Sequence, residues 1–597
     1  MLERTLSSDF VPGSNLRGDV SGANWLFALP NLRPGTVLCL GMPSPAAIQA
    51  LVRRTGRLLI CPPAGAMPGP CPPQAHLLIC RADEALPLAD GCADLIVITG
   101  RSMARRVARK ATLQAEVRRV LAPGGLVYVE GWGAPPALTG LRTVGRLWLT
   151  PLLGEVHTAV PADDRLTRRF FVQRRLFTPT FSLRALKRIG RHAQQRHLSR
   201  AVESEGHDSA SVRRGLKRRL RRPFGWIEQL PGNLERVWYQ RANGRRAVLF
   251  SADARVDLAN PPAYLRALAT EAGLPLDGYR WGLWAGGQYS SRKVLFYLFE
   301  GVQATPRYLV KLVRDVAFNP RLENEARALC QLHALGFGKQ HLLPQVAFSG
   351  CAGDLSVVGE TLVEGAPFLS RTALSPTCPL AQAAVAWLTD LGTETVTWQP
   401  AQAVASALEQ LFERFQALYH LPDAERDFLA GQIARLGETE QPFPLVFQHG
   451  DPGPWNMLVA PDGRIALLDW ESAETQGMPL WDLFYFLRSY ALNVSRTQGI
   501  SNRLAGVTRH FLAESPLSAW IVETVHHYCA QVGVGSQYVE PLYYACWMHR
   551  ALKQATLLSP QRLAQGAYLQ LLRRSIAEPD APTLRRLFTG ARNLCAQ

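Results

Sequence analysis

The sequence lacks the features that mark membrane-spanning, secreted and zinc-binding proteins. No run of about 18 apolar residues occurs, so the sequence predicts no membrane-spanning helix. Residues 1–30 contain no basic segment followed by an apolar core, which argues against a signal peptide. The 11 cysteines occur without CxxC pairs or histidines at zinc-ligand spacing. We therefore expect a cytoplasmic protein whose cysteines are reduced thiols.

Acidic residues are too few to balance the basic ones. The 597-residue chain has 66 Lys and Arg against 48 Asp and Glu, a formal net charge of +18, and arginines cluster within residues 165–222. Such a segment is typical of a solvated basic helix or linker, and it is also compatible with a weak contact to an anionic membrane surface. No zinc finger or aromatic-and-basic RNA motif accompanies it, so we expect no specific nucleic-acid partner.

The first 150 residues alternate short apolar strands with helices. The strands are predicted at residues 36–40, 57–60, 76–79, 95–98 and 126–130, and the helices at residues 46–54 and 113–121. Strands that alternate with helices favour βαβ units and a parallel sheet. We therefore predict an α/β, Rossmann-type domain over residues 1–155.

This domain resembles the class I S-adenosylmethionine-dependent methyltransferases over about residues 25–150. The resemblance rests on VLCLG (37–41), LPLADGCADLIVI (86–98) and EVRRVLAPGGLVYVE (116–130). It implies a cofactor loop at Gly41 and an acidic residue, Asp83 or Glu84, facing an adenine-like site.

The cofactor loop departs from the family pattern. Cys39 stands where the family has an acidic residue, and Pro43 and Pro45 stand where further glycines are expected. Proline fixes φ and removes an N–H donor. We therefore predict a degenerate site at Gly41 and Asp83 that does not bind S-adenosylmethionine, with an active methyltransferase as the alternative.

An Asp, an Asn and a second Asp are spaced through residues 446–471, VFQHGDPGPWNMLVAPDGRIALLDWE. Asp451 and Asn456 lie in one loop, and Asp469 ends an apolar run. The Pro-Asp-Gly turn at 461–463 separates two apolar runs, which is typical of a β-hairpin. Because a hairpin returns its second strand to the start of its first, the three side chains are predicted to converge. One carboxylate could accept a hydroxyl proton while the amide and the second carboxylate hold Mg²⁺.

The C-terminal part of the chain, from about residue 265 to 597, resembles the aminoglycoside phosphotransferase/choline kinase-like family, which shares the protein-kinase fold. The resemblance rests on HGDPGPWNML (449–458), LLDWE (467–471) and PLWDLFYFL (479–487). It is supported by further elements that occur upstream in order, namely Gly286-Gly287, Lys311, Glu325 and the Val-Glu-Gly turn at 363–365.

The resemblance implies a role for each position. Asp451 becomes the catalytic carboxylate, and Asn456 and Asp469 become ligands of Mg²⁺. His449 and Asp482 support the catalytic loop. The ATP-binding residues that it implies are Gly286, Gly287, Lys311, Glu325, Glu360 and Val363. Two assignments keep an alternative: the glycine pair is also typical of an ordinary hairpin, and Glu323 lies close enough to replace Glu325 as the partner of Lys311.

The predicted fold is therefore α/β plus α+β. A methyltransferase-like domain over residues 1–155 is followed by a basic connecting region, 156–260, and a two-lobed kinase-like domain, 261–597, with lobes at about 275–365 and 366–597. The predicted function is transfer of the γ-phosphate of ATP to a hydroxyl of a small molecule, such as a sugar, an aminoglycoside-like compound or an amino-alcohol. The alternatives are a bifunctional phosphotransferase and methyltransferase, and a nucleotide-binding pseudokinase scaffold.

Overall fold

The computed structural model describes most of the chain and divides it into two compact units. The described residues are 20–63, 72–78, 85–131, 138–150, 158–173, 245–253, 256–285, 293–372, 374–375, 378–438 and 441–589. Residues 17–319 and 347–360 form one unit, here called the sheet unit. The described residues within 320–346 and 361–589 form the other, here called the helical unit.

Parallel strands form one side of the sheet in the sheet unit. They are β1 (Thr36–Leu40), β2 (Arg57–Cys61), β3 (Ala75–Leu77), β4 (Ala93–Ile98) and β5 (Leu121–Gly131). Their spatial order is β3-β2-β1-β4-β5, with every neighbouring pair parallel. This order reverses direction at β1, as it does in doubly wound α/β domains. The strands are short apolar runs because helices can cover both faces of a parallel sheet.

Antiparallel strands extend the sheet beyond β5. The strand β8 (Arg245–Ser251) lies between β5 and β6 (Arg142–Thr150), and β6 pairs in turn with β7 (Thr158–Pro161). Residues 245–251 belong to the predicted basic connecting region, 156–260, and in the structure they form a strand inside the sheet. Their buried run AVLF (247–250) accounts for this position, but composition alone gives no partner for a strand that pairs more than 100 residues away.

The same sheet continues into the strands of residues 279–361. These are β9 (Tyr279–Trp284), β10 (Lys293–Glu300), β11 (Tyr308–Val313), β12 (Val346–Ala352) and β13 (Leu355–Thr361). The link is β7, which pairs antiparallel with β9 through Thr158–Trp284 and Ala159–Leu283. Among the described residues, 13 strands thus form one sheet, ordered β12-β13-β11-β10-β9-β7-β6-β8-β5-β4-β1-β2-β3.

Helices pack against this sheet through apolar faces. They are α1 (Pro45–Arg54), α2 (Arg101–Arg109), α3 (Ala111–Val120), α4 (Arg165–Gln173) and α5 (Ala263–Glu271). Val107 of α2 and Val117 of α3 join the core formed by the parallel strands. Phe170 and Phe171 of α4 form a second core with Phe299 of β10. The polar sides of α2 and α3 carry the arginines, as expected for amphipathic surface helices.

Helices dominate the helical unit. Their bounds are α6 (Asn319–Ala334), α7 (Phe337–Gln340), α8 (Phe368–Arg371), α9 (Pro379–Thr395), α10 (Ala401–Tyr419), α11 (Asp423–Gly437), α12 (Trp481–Thr497), α13 (Arg503–Phe511), α14 (Pro516–Val532), α15 (Val539–Ala555), α16 (Ala567–Ala577) and α17 (Pro582–Thr589). α12 and α15 are buried on nearly every side. Helices that are apolar all round occupy the centre of a large core, so these two form the frame of the unit.

Two small sheets complete the helical unit. One joins β14 (Ala366–Pro367), β17 (Met457–Val459) and β18 (Ile465–Leu467), and the other joins β15 (Thr397–Gln399), β16 (Phe443–Gln448) and β19 (Glu474–Gly477). The antiparallel pair β17–β18 is the hairpin predicted from the apolar runs on either side of the Pro-Asp-Gly turn.

Three sequence-based expectations concern the cysteines, the arginine-rich segment and membrane-spanning helices. Cys61 is disulfide-bonded, so the expectation that every cysteine is a reduced thiol is wrong at this position. Of the arginine-rich residues 165–222, those beyond 173 lie outside the described residues, and the predicted contact with an anionic membrane surface stays a prediction. In the described parts of the chain, none of the helices combines the length and apolarity needed to cross a bilayer.

Candidate active site

The loop at residues 449–456 follows the buried strand β16 and is anchored by His449. This side chain is fully buried, its Nδ1 lies 3.2 Å from the backbone N of Asp451, and its Nε2 lies 2.9 Å from the carbonyl oxygen of Leu468. Because an N–H must donate to the Leu468 carbonyl, Nε2 carries the proton and Nδ1 accepts from the amide of Asp451. Both ring nitrogens are therefore used to shape the loop, which supports the supporting role predicted for His449.

Gly450 allows the chain to turn toward Asp451. Its φ is +77°, and a Cβ at this position would lie 2.0 Å from the backbone oxygen of Ser472. L-residues rarely adopt this conformation, and the contact is with backbone that cannot rotate away. The sequence therefore needs glycine before Asp451 for two independent reasons.

Asp482, near the start of α12, binds the backbone of the same turn. Its carboxylate accepts the backbone N–H of His449 at 2.6 Å and that of Gly450 at 3.1 Å. Burial raises the pKa of Asp482, although His449 and the Arg550 guanidinium act in the opposite direction. Arg550 of α15 completes the turn by donating to the Gly450 carbonyl oxygen at 2.9 Å. The turn is thus fixed from two helices that the sequence places more than 60 residues apart.

Asp451 and Asn456 meet in the loop as predicted from their spacing. The Asn456 Nδ2 donates to the backbone oxygen of Asp451 at 3.0 Å and to its carboxylate Oδ2 at 3.1 Å. Its amide oxygen has no hydrogen bond among the described residues. The amide nitrogen of Asn456 therefore orients the Asp451 carboxylate, while its amide oxygen remains available as a ligand.

The hairpin brings Asp469 back to this loop. Met457 pairs with Leu467, and the Leu468 N–H donates to the Asn456 carbonyl oxygen at 2.8 Å. Asp469 comes directly after Leu468 and has a left-handed conformation, with φ of 69° and ψ of 62°. Non-glycine residues held in this region are strained and cluster at functional sites. The register of the hairpin therefore brings the backbone of Asp469 beside Asn456, and the convergence of the Asp469 carboxylate with Asp451 stays a prediction.

These donors suit Mg²⁺ by their chemistry. Mg²⁺ prefers oxygen ligands and is commonly held by one or two protein groups together with water and substrate phosphates. The available amide oxygen of Asn456 and the carboxylate of Asp469 form such a partial set. Among the described residues, no group of three or more His, Cys, Asp or Glu is placed to hold a metal.

Glu325 of α6 binds the backbone of the residue that follows Asp469. Its carboxylate is fully buried and accepts the backbone N–H of Trp470 at 3.1 Å. The neighbouring Glu323 is exposed. The pairing of Lys311 with Glu325, or with Glu323 as the alternative, stays a prediction.

Lys311 of β11 forms a buried ion pair with Glu360 of β13. The Lys311 Nζ lies 2.8 Å from one carboxylate oxygen of Glu360 and 3.0 Å from the other, and both side chains are buried. The family resemblance implied only that Glu360 binds ATP. Its side chain pairs with the strand lysine across 49 residues, a contact that no local motif indicates.

The remaining predicted residues give less information. Gly286, Gly287 and Asp83 lie outside the described residues, while Val363 is partly buried just after β13. Gly41 has a φ of +104°, and its N–H donates to the Cys61 carbonyl oxygen at 2.9 Å. Its amide is therefore already bound within the sheet.

Sequence reasoning missed an arginine–tyrosine cluster next to the loop. Here this name denotes Tyr485 and Arg488 of α12, Arg550 of α15 and Tyr568 of α16. The Arg550 guanidinium carbon lies 3.6 Å from the centroid of the Tyr485 ring, and that of Arg488 lies 4.5 Å from the Tyr568 ring. Helical spacing alone does not separate such residues from ordinary core residues.

Comparison with known proteins agrees with the motifs of the C-terminal part. Residues 285–505 match the model of the phosphotransferase enzyme family, APH. The predicted family resemblance is confirmed. The chain therefore contains a kinase-like phosphotransferase fold, whereas the methyltransferase resemblance of the first domain stays a prediction.

Solved structures show similarities at low identity. An aminoglycoside phosphotransferase, APH(3'')-Id from Streptomyces rimosus, is 17% identical with a TM-score of 0.29, and the match covers 49% of this chain and 97% of that one. The choline kinase LicA from Streptococcus pneumoniae is 16% identical with a TM-score of 0.29, over 50% of this chain and 92% of that one. A SAM-dependent methyltransferase from Aquifex aeolicus is 15% identical with a TM-score of 0.16, over 21% and 81%. None of the curated proteins matches the chain.

Proposed function

We propose that the protein transfers the γ-phosphate of ATP to a hydroxyl group of a small molecule, with Asp451 as the catalytic carboxylate. The observation that carries this proposal is the division of the Asn456 side chain. Its nitrogen donates to the Asp451 carboxylate, its oxygen has no hydrogen bond among the described residues, and the hairpin returns the backbone of Asp469 to its side. A single loop thus presents a proton acceptor and a metal ligand together, which phosphoryl transfer requires.

The reaction needs little covalent chemistry from the protein. The acceptor oxygen attacks the γ-phosphorus, the bond from this phosphorus to the bridging oxygen of ADP breaks, and the hydroxyl proton passes to the Asp451 carboxylate. Asn456 orients that carboxylate through a hydrogen bond. The hydrogen bonds of Gly450 to Asp482 and Arg550 hold the turn that precedes Asp451. Mg²⁺, when held by Asn456 and Asp469, neutralises charge on the phosphates. Positioning and charge neutralisation then supply most of the rate.

The other nucleotide contacts are part of the same proposal. Lys311 is a cation fixed by Glu360 in a buried position, which suits an ammonium that binds phosphate oxygens. Gly286, Gly287 and Val363 keep the nucleotide-binding roles implied by the family resemblance. Sugars, aminoglycoside-like compounds and amino-alcohols are the acceptor classes considered.

The decisive experiment compares Asp451→Ala with Asp462→Ala. Asp462 lies in the exposed turn of the same hairpin, where it pairs with Arg464. We expect Asp451→Ala to abolish release of phosphate or its transfer from Mg-ATP while ADP binding persists, and Asp462→Ala to retain activity. Equal activity in Asp451→Ala contradicts the mechanism. A wild-type chain that binds nucleotide without any turnover favours the pseudokinase alternative.

For the N-terminal domain we propose a structural role without S-adenosylmethionine. The Gly41 amide is bound to Cys61, and the Ser44 hydroxyl caps α1 by accepting the N–H of Ala47 at 3.2 Å. Groups that bind a ligand in dinucleotide-type sites are thus engaged within the protein. We expect S-adenosylmethionine to leave the melting temperature unchanged. A clear rise, as a bound ligand produces, supports the bifunctional alternative instead.

A further inference from the structure

The arginine–tyrosine cluster lies beside the proposed catalytic carboxylate. Two residues connect Tyr485 to the Asp451 loop: the Arg550 guanidinium, which stacks on the Tyr485 ring, donates to the Gly450 carbonyl oxygen, and the Trp455 Nε1 lies 3.5 Å from the Asp451 Oδ2. Trp455, which is 55% exposed, lies within 6.1 Å of the Tyr485 ring, centroid to centroid. An acceptor whose hydroxyl reaches Asp451 therefore meets these residues first.

Arg488 is the unusual member of the cluster. Its side chain is only 7% exposed, and its Nε is buried without a hydrogen-bond partner. Neither a carboxylate nor any other hydrogen-bond acceptor binds its guanidinium among the described residues; its contact there is the face of the Tyr568 ring. A cation–π contact offsets only a small part of the free energy that burying a charge requires. A buried cation without an anion indicates that a ligand supplies the anion.

Arg550 differs from Arg488 because it is already engaged. It donates to the Gly450 carbonyl oxygen and lies 3.9 Å from the Asp482 carboxylate. It nevertheless adds positive charge to the same neighbourhood, and the exposed ring of Trp455 offers a flat apolar surface. The surroundings of Asp451 thus combine aromatic faces with cations, which suits an anionic acceptor better than an amine.

We propose that the acceptor carries a carboxylate or phosphate group that binds Arg488 while its hydroxyl lies at Asp451. This proposal rests on the proposed function and narrows its acceptor class. It favours an anionic sugar or hydroxy acid over an aminoglycoside-like compound or an amino-alcohol. The planar guanidinium suits both anions, since it binds carboxylate and phosphate oxygens in pairs.

Binding without ATP tests the anion site separately from catalysis. The probes are inorganic phosphate, glucose 6-phosphate, gluconate and glucosamine, added to the full chain at constant ionic strength and followed by melting temperature and calorimetry. We expect at least one anionic probe to bind at least tenfold more tightly than glucosamine. Comparison of glucose 6-phosphate with gluconate shows whether phosphate or carboxylate is preferred.

Substitution at Arg488 shows whether it is the site. Arg488→Met should remove the preference for anions, and Arg488→Lys should retain part of it because the charge remains without the planar geometry. Arg496→Gln, an exposed position on the same helix, should bind like the wild type. In the absence of probes, Arg488→Met should melt at the same temperature as the wild type or higher, whereas a purely structural arginine would lower it.

The outcomes separate this inference from the proposed function. A wild-type chain that binds none of the anions, or that prefers glucosamine, overturns the inference, as does an anion preference that survives in Arg488→Met. If no assay shows turnover but anion binding depends on Arg488, the proposal of phosphoryl transfer is wrong. The proposed anion site is then still supported.

Discussion

The Glu325 carboxylate binds the backbone N–H of Trp470 at 3.1 Å, across 145 residues of sequence. Trp470 follows Asp469, the proposed metal ligand, and its ring packs 4.5 Å from that of His449. Asp469 itself has a left-handed conformation that an L-residue adopts only when its surroundings hold it there. Glu325 thus supports the metal ligand through the backbone of the next residue.

We therefore predict that Glu325→Gln weakens metal use more than nucleotide binding. Groups that orient a metal ligand typically change metal affinity or activity by about 10–100-fold when mutated. The Mg²⁺ concentration that gives half-maximal activity should rise by about tenfold, as measured at saturating ATP. Glu323→Gln, at an exposed position two residues earlier, is the matched control. If the two variants have the same Mg²⁺ dependence, Glu325 does not position Asp469.

The Lys311–Glu360 pair gives a second prediction. Removing one member of a buried ion pair is strongly destabilising, commonly by about 3–5 kcal/mol. Glu360→Gln should lower the melting temperature and weaken ADP binding by about tenfold or more, because Lys311 loses a carboxylate that positions it. Glu364→Gln changes an exposed glutamate four residues later and should do neither. Unchanged ADP affinity in Glu360→Gln would show that the ion pair does not position Lys311 for the nucleotide.

Gly450 and Gly463 separate backbone strain from steric clash. Both have positive φ, 77° and 87°, but a Cβ at Gly463 has nothing within 4 Å, whereas one at Gly450 meets the Ser472 backbone. Gly463→Ala should cost about 1–2 kcal/mol from conformation alone. Gly450→Ala should cost clearly more and should abolish activity, because the turn that presents Asp451 must move. Similar melting temperatures and activities in the two variants would show that the Ser472 contact is easily relieved.

Local patterns in the sequence predicted the centre of the candidate site. Two apolar runs around a Pro-Asp-Gly turn indicated the hairpin, and its register then determined which side of the loop Asp469 reaches. The contact between Asn456 and Asp451 likewise depends on a spacing of five residues within one loop. Such features are visible because turn chemistry and strand alternation act over short distances.

Long-range partners could not be predicted in the same way. Glu360 pairs with Lys311 across a sheet, and Arg550 donates to the carbonyl oxygen of Gly450, 100 residues earlier in the chain. The strand β8 belongs to the predicted basic connecting region, yet it pairs with β5 inside the sheet. Arg488 is one of several polar residues in the sequence of α12. Only tertiary packing shows that it is buried without an anion, so its interpretation required the structure.

His510 of α13 should make stability depend on pH. Its side chain is 2% exposed, its Nδ1 lies 2.9 Å from the Ser515 hydroxyl, and its Nε2 is buried without a partner. Burial, assisted by the charge of Arg509, lowers the pKa of His510 to about 4. The ordinary value near 6.5 applies to the unfolded chain. Between these values the unfolded state binds more protons than the folded state.

Stability should therefore fall as pH falls from 6.5 to about 4, with a contribution of about 3 kcal/mol at most from His510. His510→Asn should reduce the slope of melting temperature against pH in this window, even though the smaller side chain also lowers stability at every pH. The slope should not vanish, because burial also lowers the pKa of His549. His527→Asn, at an exposed position of α14, should keep the slope of the wild type. If His510→Asn shows that same slope, His510 is not held neutral by its burial, and the acid sensitivity of the fold must come from other groups.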